Sequence, residues 1–297
     1  MTNRYSRYSI PAGILFIFLV SCSTEQKALS RRASIITVNS QLKAGKQELA
    51  KLDEERRRKT AQHEMLDTAS KSILQFIHNT RNEIEHTLSR DSMWIGTTEV
   101  AREDWNDLKK ALTQSQKSLK RVTNKLAFIS DLLQRNRVVK LDQDVIFKPG
   151  EYEVSPDIAA SISNIIRPAS EGVDSFIRKY PDFNLSLVIT ARGYADGTVI
   201  AEGSDLYNKL KERLKLQTGN PGSKELNHEL SRLRAKKVIE LFEAYTTVRA
   251  GRKKSNRHII TIYEGKGEAF PNPSITNYRT DDPRRRVVLL FWSIFPE

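Results

Sequence analysis

The sequence has little that would hold an extracellular scaffold together: one cysteine, Cys22, in 297 residues, so no intramolecular disulfide can form. Proline is absent from Thr24 to Lys148, and only Gly45 and Gly96 interrupt that stretch as glycines. Without such breakers a run rich in Lys, Glu, Gln, Arg, Ala and Leu reads as long helices. No apolar run approaches the roughly 20 residues of a membrane-spanning helix; the longest lies between Ile10 and Val20. Acidic residues are outnumbered, with a net charge of +13, which points to an anionic partner.

The N-terminus has the three parts of an export signal: basic Arg4 and Arg7, an apolar core from Ile14 to Val20, and small residues after it. The segment Leu19-Val20-Ser21-Cys22 resembles the lipobox of bacterial lipoproteins, which implies removal of residues 1–21, lipidation of Cys22 and a lipidated N-terminus over 22–27. Several acyl chains, at about 0.8 kcal/mol per buried methylene, hold such a protein on a membrane. Ser23 resembles the sorting pattern for the outer membrane, facing the periplasm. Export makes nucleic acid an improbable partner despite the basic charge.

Residues 28–137 are expected to form a helical coiled-coil stalk. Its clearest seam is Trp105, Leu108, Leu112, Ser115, Leu119, Val122, Leu126, Ile129 and Leu133, alternating steps of three and four. A rougher seam runs through Ile35, Val38, Leu42, Leu49, Leu52, Leu66, Ile73, Ile77 and Ile84. Gly45, Arg56, Lys59 and His63 occupy seam positions within it and predict loose packing there. Polar turn formers and Gly96 across 89–98 predict a fold-back into a helical hairpin. A helix from 99 to 136 would span about 57 Å, a spacer's dimension. Such a pattern is either a self-packing or oligomerising stalk or a docking rod for an envelope partner. His63-Glu64-Met65-Leu66-Asp67 lacks the second histidine of a zinc-protease helix, and no metal site or cofactor is expected. The runs Arg56–Lys59 and Arg252–Lys254 read as solvated faces.

From Val138 to Glu297 the texture becomes mixed α/β. Strand patterns occupy 139–147, 185–191, 258–263 and 287–294, and helices are expected from Ser155 to about Lys179 and from Leu226 to about Tyr245. Four pieces then recur in order: the strand ending at Phe147; Gly193-Tyr194-Ala195-Asp196; Asn227-x-x-Leu230-Ser231-x-x-Arg234-Ala235; and Gly265-x-Gly267-Glu268 with Pro271, followed by Arg285-Arg286-Val287. Together they resemble the OmpA-like C-terminal domain family over roughly 138–295.

The resemblance implies a mixed sheet covered by helices and non-covalent binding of peptidoglycan through the diaminopimelate of its stem peptide. That group presents an ammonium beside a carboxylate, and the matching positions here are Asp196 for the ammonium and Arg234 for the carboxylate. The residue types suit these roles. Gly193 releases the chain into a loop where Asp196 can face solvent, and a guanidinium grips a carboxylate with two parallel donors. Asn227 and Arg234 stand two helical turns apart on one face. Tyr194 and Arg286 complete the expected ligand-binding set, with Arg285 or Arg286 reaching the rim and the other structural.

Three departures accompany the resemblance. Ala195 replaces a usual Thr, Arg284 stands where Asn is common, and the connection between Asp196 and Asn227 is long. It contains a predicted extra helix at 205–214 that either closes over the pocket or lies beside it. No nucleophile–base pairing or paired acidic motif is visible, so an enzyme is not expected. The function implied is an outer-membrane tether to the cell wall. The alternative is a coiled-coil docking component of a secretion or motility machine, with the wall-binding domain as its anchor.

Overall fold

The structure is a computed structural model that describes residues 12–96, 101–142, 146–148, 150–215, 219–250 and 259–296, with the side chains of 12–25, 137, 169 and 246–250 set aside. Arg4, Arg7, Pro149, the run Arg252–Lys254 and the Cys22 side chain therefore lie outside the described residues. Two compact units form: Met1–Lys51 with His78–Ala127, and Leu52–Ile77 with Phe128–Glu297. Three helices, α1 (Ala12–Ala61), α2 (Asp67–Gly96) and α3 (Trp105–Arg135), each contribute to both. Among the described residues no helix is long and apolar enough to cross a membrane.

In the first unit the predicted α3 seam is inward: Leu108 and Val122 are buried, and Leu108 joins Ala28, Ile35, Trp94 and Ala111 in one cluster. The loose packing expected at Gly45 is absent. A methyl group there would stand 3.3 Å from Leu126 and 3.6 Å from Val122, so larger neighbours fill the space that the missing side chain leaves. Arg32 donates to the carbonyls of Trp94 (3.1 Å) and Ile95 (2.7 Å), satisfying acceptors that the end of α2 leaves open. Glu83 accepts from Arg121 at 2.8 Å and Lys125 at 2.7 Å. Burial pushes its carboxyl upward, but these two cations outweigh that and leave it below its usual value.

The second unit contains a break that the sequence reading did not separate, between Ala61 and Asp67, so among the described residues three α-helices precede the first strand where one fold-back at 89–98 was expected. Glu64 N–H donates to Lys59 C=O at 2.9 Å and His63 N–H to Thr60 C=O at 3.1 Å, while His63 adopts a φ of 57°. That pair of bonds closes a helix with a left-handed residue, a place where glycine is usual. His63 is exposed there. Arg56, expected on a solvated face, is buried instead, donating to Asp53 (2.8 Å) and Ser70 (2.5 Å).

The class is mixed α/β. Helix α4 (Pro156–Lys179), α5 (Asp205–Leu214) and α6 (Ser223–Ala250) accompany strands β1 (Arg137–Asp142), β2 (Leu185–Gly193), β3 (Ile259–Gly265) and β4 (Val287–Pro296). The sheet order is β1-β4-β2-β3, antiparallel except for the parallel β2–β3 pair. Strand β1 ends at Asp142, short of the expected Phe147, which is buried outside any strand. Asn136 lengthens the ladder by side-chain mimicry, donating to Ile294 C=O at 3.3 Å and accepting from Ile294 N–H at 3.1 Å. Trp292 and the α6 residue Phe242 meet edge to face at 5.2 Å, so that face of the sheet is the core face. The linear division at 137/138 does not coincide with the compact units, because Phe128 of α3 stacks on Phe183 at 4.2 Å and touches Phe76, Phe176 and Tyr180.

Candidate functional site

The site is built where α6 lies directly on the ends of two strands. A side chain at Gly193, the last residue of β2, would place its first carbon 2.0 Å from Ser231 C=O; one at Gly265, the last of β3, would stand 2.6 Å from His228 C=O. Only hydrogen fits at both positions. Ser231 and Ala235, both fully buried, are the small residues on the helix side. Ser231 Oγ donates to His228 C=O at 2.8 Å and accepts from Gly267 N–H at 2.9 Å. The glycines and the Ser and Ala of three separate motifs are thus one packing solution.

The loops leaving the two strands are tied to each other. Lys266 N–H donates to Gly193 C=O at 2.8 Å, Ala195 N–H to Gly267 C=O at 2.7 Å, and Tyr194 N–H to Val287 C=O at 2.9 Å. These bonds deliver Asp196. Its Oδ1 accepts from Thr198 N–H at 3.2 Å, and its Oδ2 accepts from Arg286 Nη1 at 2.9 Å. The sequence reading turned Asp196 toward solvent; the structure leaves it 7% exposed, because the Arg286 guanidinium and the turn at Thr198 enclose it.

Arg234 is 6% exposed, with Nε donating to Glu151 C=O at 3.0 Å and the guanidinium carbon 5.3 Å from the centre of the Phe147 ring. The turn after β1 therefore fixes its orientation through a carbonyl and a cation–π contact. Asn227 Nδ2 donates to Thr198 C=O at 3.2 Å and Glu268 Oε1 at 2.9 Å, joining the Asp196 loop to the Gly265-x-Gly267-Glu268 loop. Asp196, Asn227, Arg234 and Arg286 line one pocket of about 540 Å³.

Tyr194 is not brought to this pocket. It is buried, and its hydroxyl is pushed above the usual range first by that burial, with Arg192 opposing and Glu264 and Tyr278 adding. Its phenol stays neutral through the physiological range. Arg285 divides from Arg286 in role: its guanidinium donates to the carbonyls of Arg279 (3.3 Å), Thr280 (3.3 Å) and Glu268 (2.5 Å), bracing the loop before β4. Arg284, where Asn is common in the resembling family, pairs with Asp282 at 2.6 Å. That hydrogen bond holds the Asp282 carboxyl far below the carboxylate range against a smaller opposing effect of burial.

Sequence reasoning left open whether the long connection reaches the pocket and named none of the residues it contributes. Val199, Ile200, Ala201, Ser204 and Leu206, all from the long connection, line it, as do Phe147 and Lys148. The helix predicted at 205–214 is α5, and Ser204 caps it by accepting from Tyr207 N–H at 3.2 Å. Tyr207 and Leu210 pack into a cluster with Leu226, Leu230 and Leu233 of α6. The amphipathic spacing of 206, 207 and 210 carried that signal, but nothing in it showed which neighbour the helix would cover.

Chemically the pocket holds one carboxylate, three cations in Lys148, Arg234 and Arg286, an amide and an apolar side. Among the described residues no histidine or cysteine lines it; its hydroxyl side chains are Thr198 and Ser204, and Ser204 caps a helix. Among the described residues no group of three or more His, Cys, Asp and Glu side chains is placed to hold a metal ion. Charges of both signs therefore stand beside an apolar surface in one pocket. No protein-family model matches the chain, and no curated protein matches it.

Proposed function

We propose that this chain is a lipoprotein of the outer membrane, anchored through Cys22, whose C-terminal part is an OmpA-like domain that holds peptidoglycan non-covalently by diaminopimelate. The helical residues before it serve as a coiled-coil spacer toward the membrane. One observation carries the reading: Asp196 and Arg234, matched by motif to the ammonium and carboxylate of that amino acid, line the same pocket although they stand 38 positions apart. The convergence of Gly193, Ser231, Ala235 and Gly267 at one packing point supports it further, since these are the residues that carry the resemblance. Asp196 accepts from Thr198 N–H and from Arg286 at the pocket, and an incoming ammonium would share those carboxylate oxygens.

The test is co-sedimentation of the full chain, in detergent, with purified sacculi. Asp196→Ala and Arg234→Ala are each expected to lose about 2–4 kcal/mol of binding, because each leaves a ligand charge without its partner. Sedimentation of both variants at the wild-type level would overturn the assignment. Cys22→Ser is expected to abolish incorporation of radiolabelled palmitate; retained label would place the lipid elsewhere and remove the anchor.

A further inference from the structure

The peptidoglycan reading above accounts for the charged side of the pocket; on the apolar side, built from the long connection, Ile200 and Leu206 pack partly against the cluster beneath and still line the pocket. That connection is fixed at several points. Gly197 N–H donates to Thr280 C=O at 2.7 Å, Asn227 holds Thr198 C=O at 3.2 Å, and Asn220 joins Glu202 at 2.9 Å and Lys211 at 2.6 Å. Helix α5 is packed on α6 through Tyr207 and Leu210. A methyl group on Gly150 would already reach Leu206 at 4.0 Å, so the connection approaches the turn after β1 from across the pocket. Val199, at 73% exposed, presents an apolar side chain at the pocket's edge, where a ligand's hydrocarbon part can cover it.

We infer that this connection is a specificity wall: Val199 and Ile200 cover the methylene chain of diaminopimelate while Asp196 and Arg234 hold the charged end. This rests on the peptidoglycan reading and adds to it that the ligand's aliphatic chain contributes to affinity. A zwitterionic head alone satisfies the charges and leaves the wall facing water. Each methylene that the wall covers is worth about fourfold in affinity.

The experiment uses the full chain in detergent and a fluorescent stem tripeptide ending in meso-diaminopimelate, displaced by the unlabelled tripeptide or by glycine. Glycine carries the same ammonium and carboxylate on one carbon and has no chain. Val199→Ser, at an exposed position outside the core cluster, and Ile200→Thr, which keeps the branched shape, are each expected to weaken the tripeptide about fivefold and leave glycine unchanged. Matching thermal melts of the variants and wild type exclude unfolding as the cause. Equal weakening of both ligands, or of neither, would overturn the wall while leaving the charged site standing. Wild-type protein that binds no tripeptide would instead overturn the peptidoglycan reading, and the wall with it.

Discussion

Two buried carboxylates in the second unit have almost the same immediate surroundings and opposite meanings. Asp53 is 8% exposed at its side chain and 2.8 Å from Arg56; Asp196 is 9% exposed and 2.9 Å from Arg286. Around Asp53 the polar groups close on themselves, since Arg57 takes its second oxygen at 2.8 Å, Arg56 reaches Ser70, and Thr60 donates to Ser70 at 2.8 Å. Asp196 instead borders a pocket of about 540 Å³. Burial and pairing of a charge are therefore no mark of a binding site by themselves; the mark is a pair left beside space that a ligand can enter. The two arginines differ accordingly, with side-chain exposures of 9% for Arg56 and 31% for Arg286.

The sharpest break in this comparison comes from the frame beneath the pocket. Gly193→Ala drives a carbon into a backbone oxygen 2.0 Å away, which no side-chain rotation relieves. A loss of about 3 kcal/mol is expected in a urea melt, at the upper end for overpacking. A wild-type midpoint would mean that α6 shifts freely over the strand ends and that the pocket is not rigidly framed. Next in size is the exchange between the two carboxylates. Asp53→Asn removes the charge that two guanidiniums face and is expected to cost about 2 kcal/mol of stability while sacculus binding persists. Asp196→Asn is expected to cost under about 1 kcal/mol, because Arg286 keeps contact with water, yet to lose binding. Reversal of that pattern, with Asp196→Asn the more unstable and still bound, would make Asp196 a structural residue.

The Asp196 side of this contrast, and much of the fold, is legible in the sequence alone. The step pattern from Trp105 to Leu133 identifies the buried side of α3, and β-branched runs identify β2 and β4. Motif order brings out Asp196, Asn227, Arg234 and Arg286, because close-packed glycines and a charged pair leave fixed residue types at fixed spacings. Three features left no such trace. His63 closes a helix with the geometry of glycine but without glycine, so the break at 62–66 looks like continuing seam. Arg56 in a string of charges reads as solvated, since its burial depends on Ser70 arriving from the next helix. Phe128 keeps the company of seam residues, and its stacking on Phe183 is a contact across 55 positions that periodicity does not encode.

The wall of the pocket offers a smaller test of the same comparison. Ser204 accepts from Tyr207 N–H at 3.2 Å and starts α5, and Ser204→Ala is expected to cost about 1 kcal/mol, the usual worth of such a cap. Hydrogen exchange should quicken at the first turn of α5 and leave the amides of β2 and β4 unchanged. Uniform quickening would mean that α5 is an integral part of the core and not a wall added beside the charged residues.

The smallest effect is expected from pH, and it separates the closed network from the open one. Burial alone would push the Asp53 carboxyl upward, but hydrogen bonds and charge from Arg56, with a further contribution from Arg57, leave it below its ordinary value in the folded chain. A carboxyl whose folded value is depressed binds a proton more readily once unfolded. Its contribution to stability is therefore complete above the ordinary carboxylate range and drains away as the pH falls below about 4 toward the folded value. Measured as urea midpoints against pH, the acid limb of the wild type should be steeper than that of Asp53→Asn, and the two curves should run parallel from pH 6 to 8. Parallel curves through the acid limb as well would show that Asp53 titrates alike in the folded and unfolded chain, and the buried arginine would then owe its place to Ser70 and packing instead of to the carboxylate beside it.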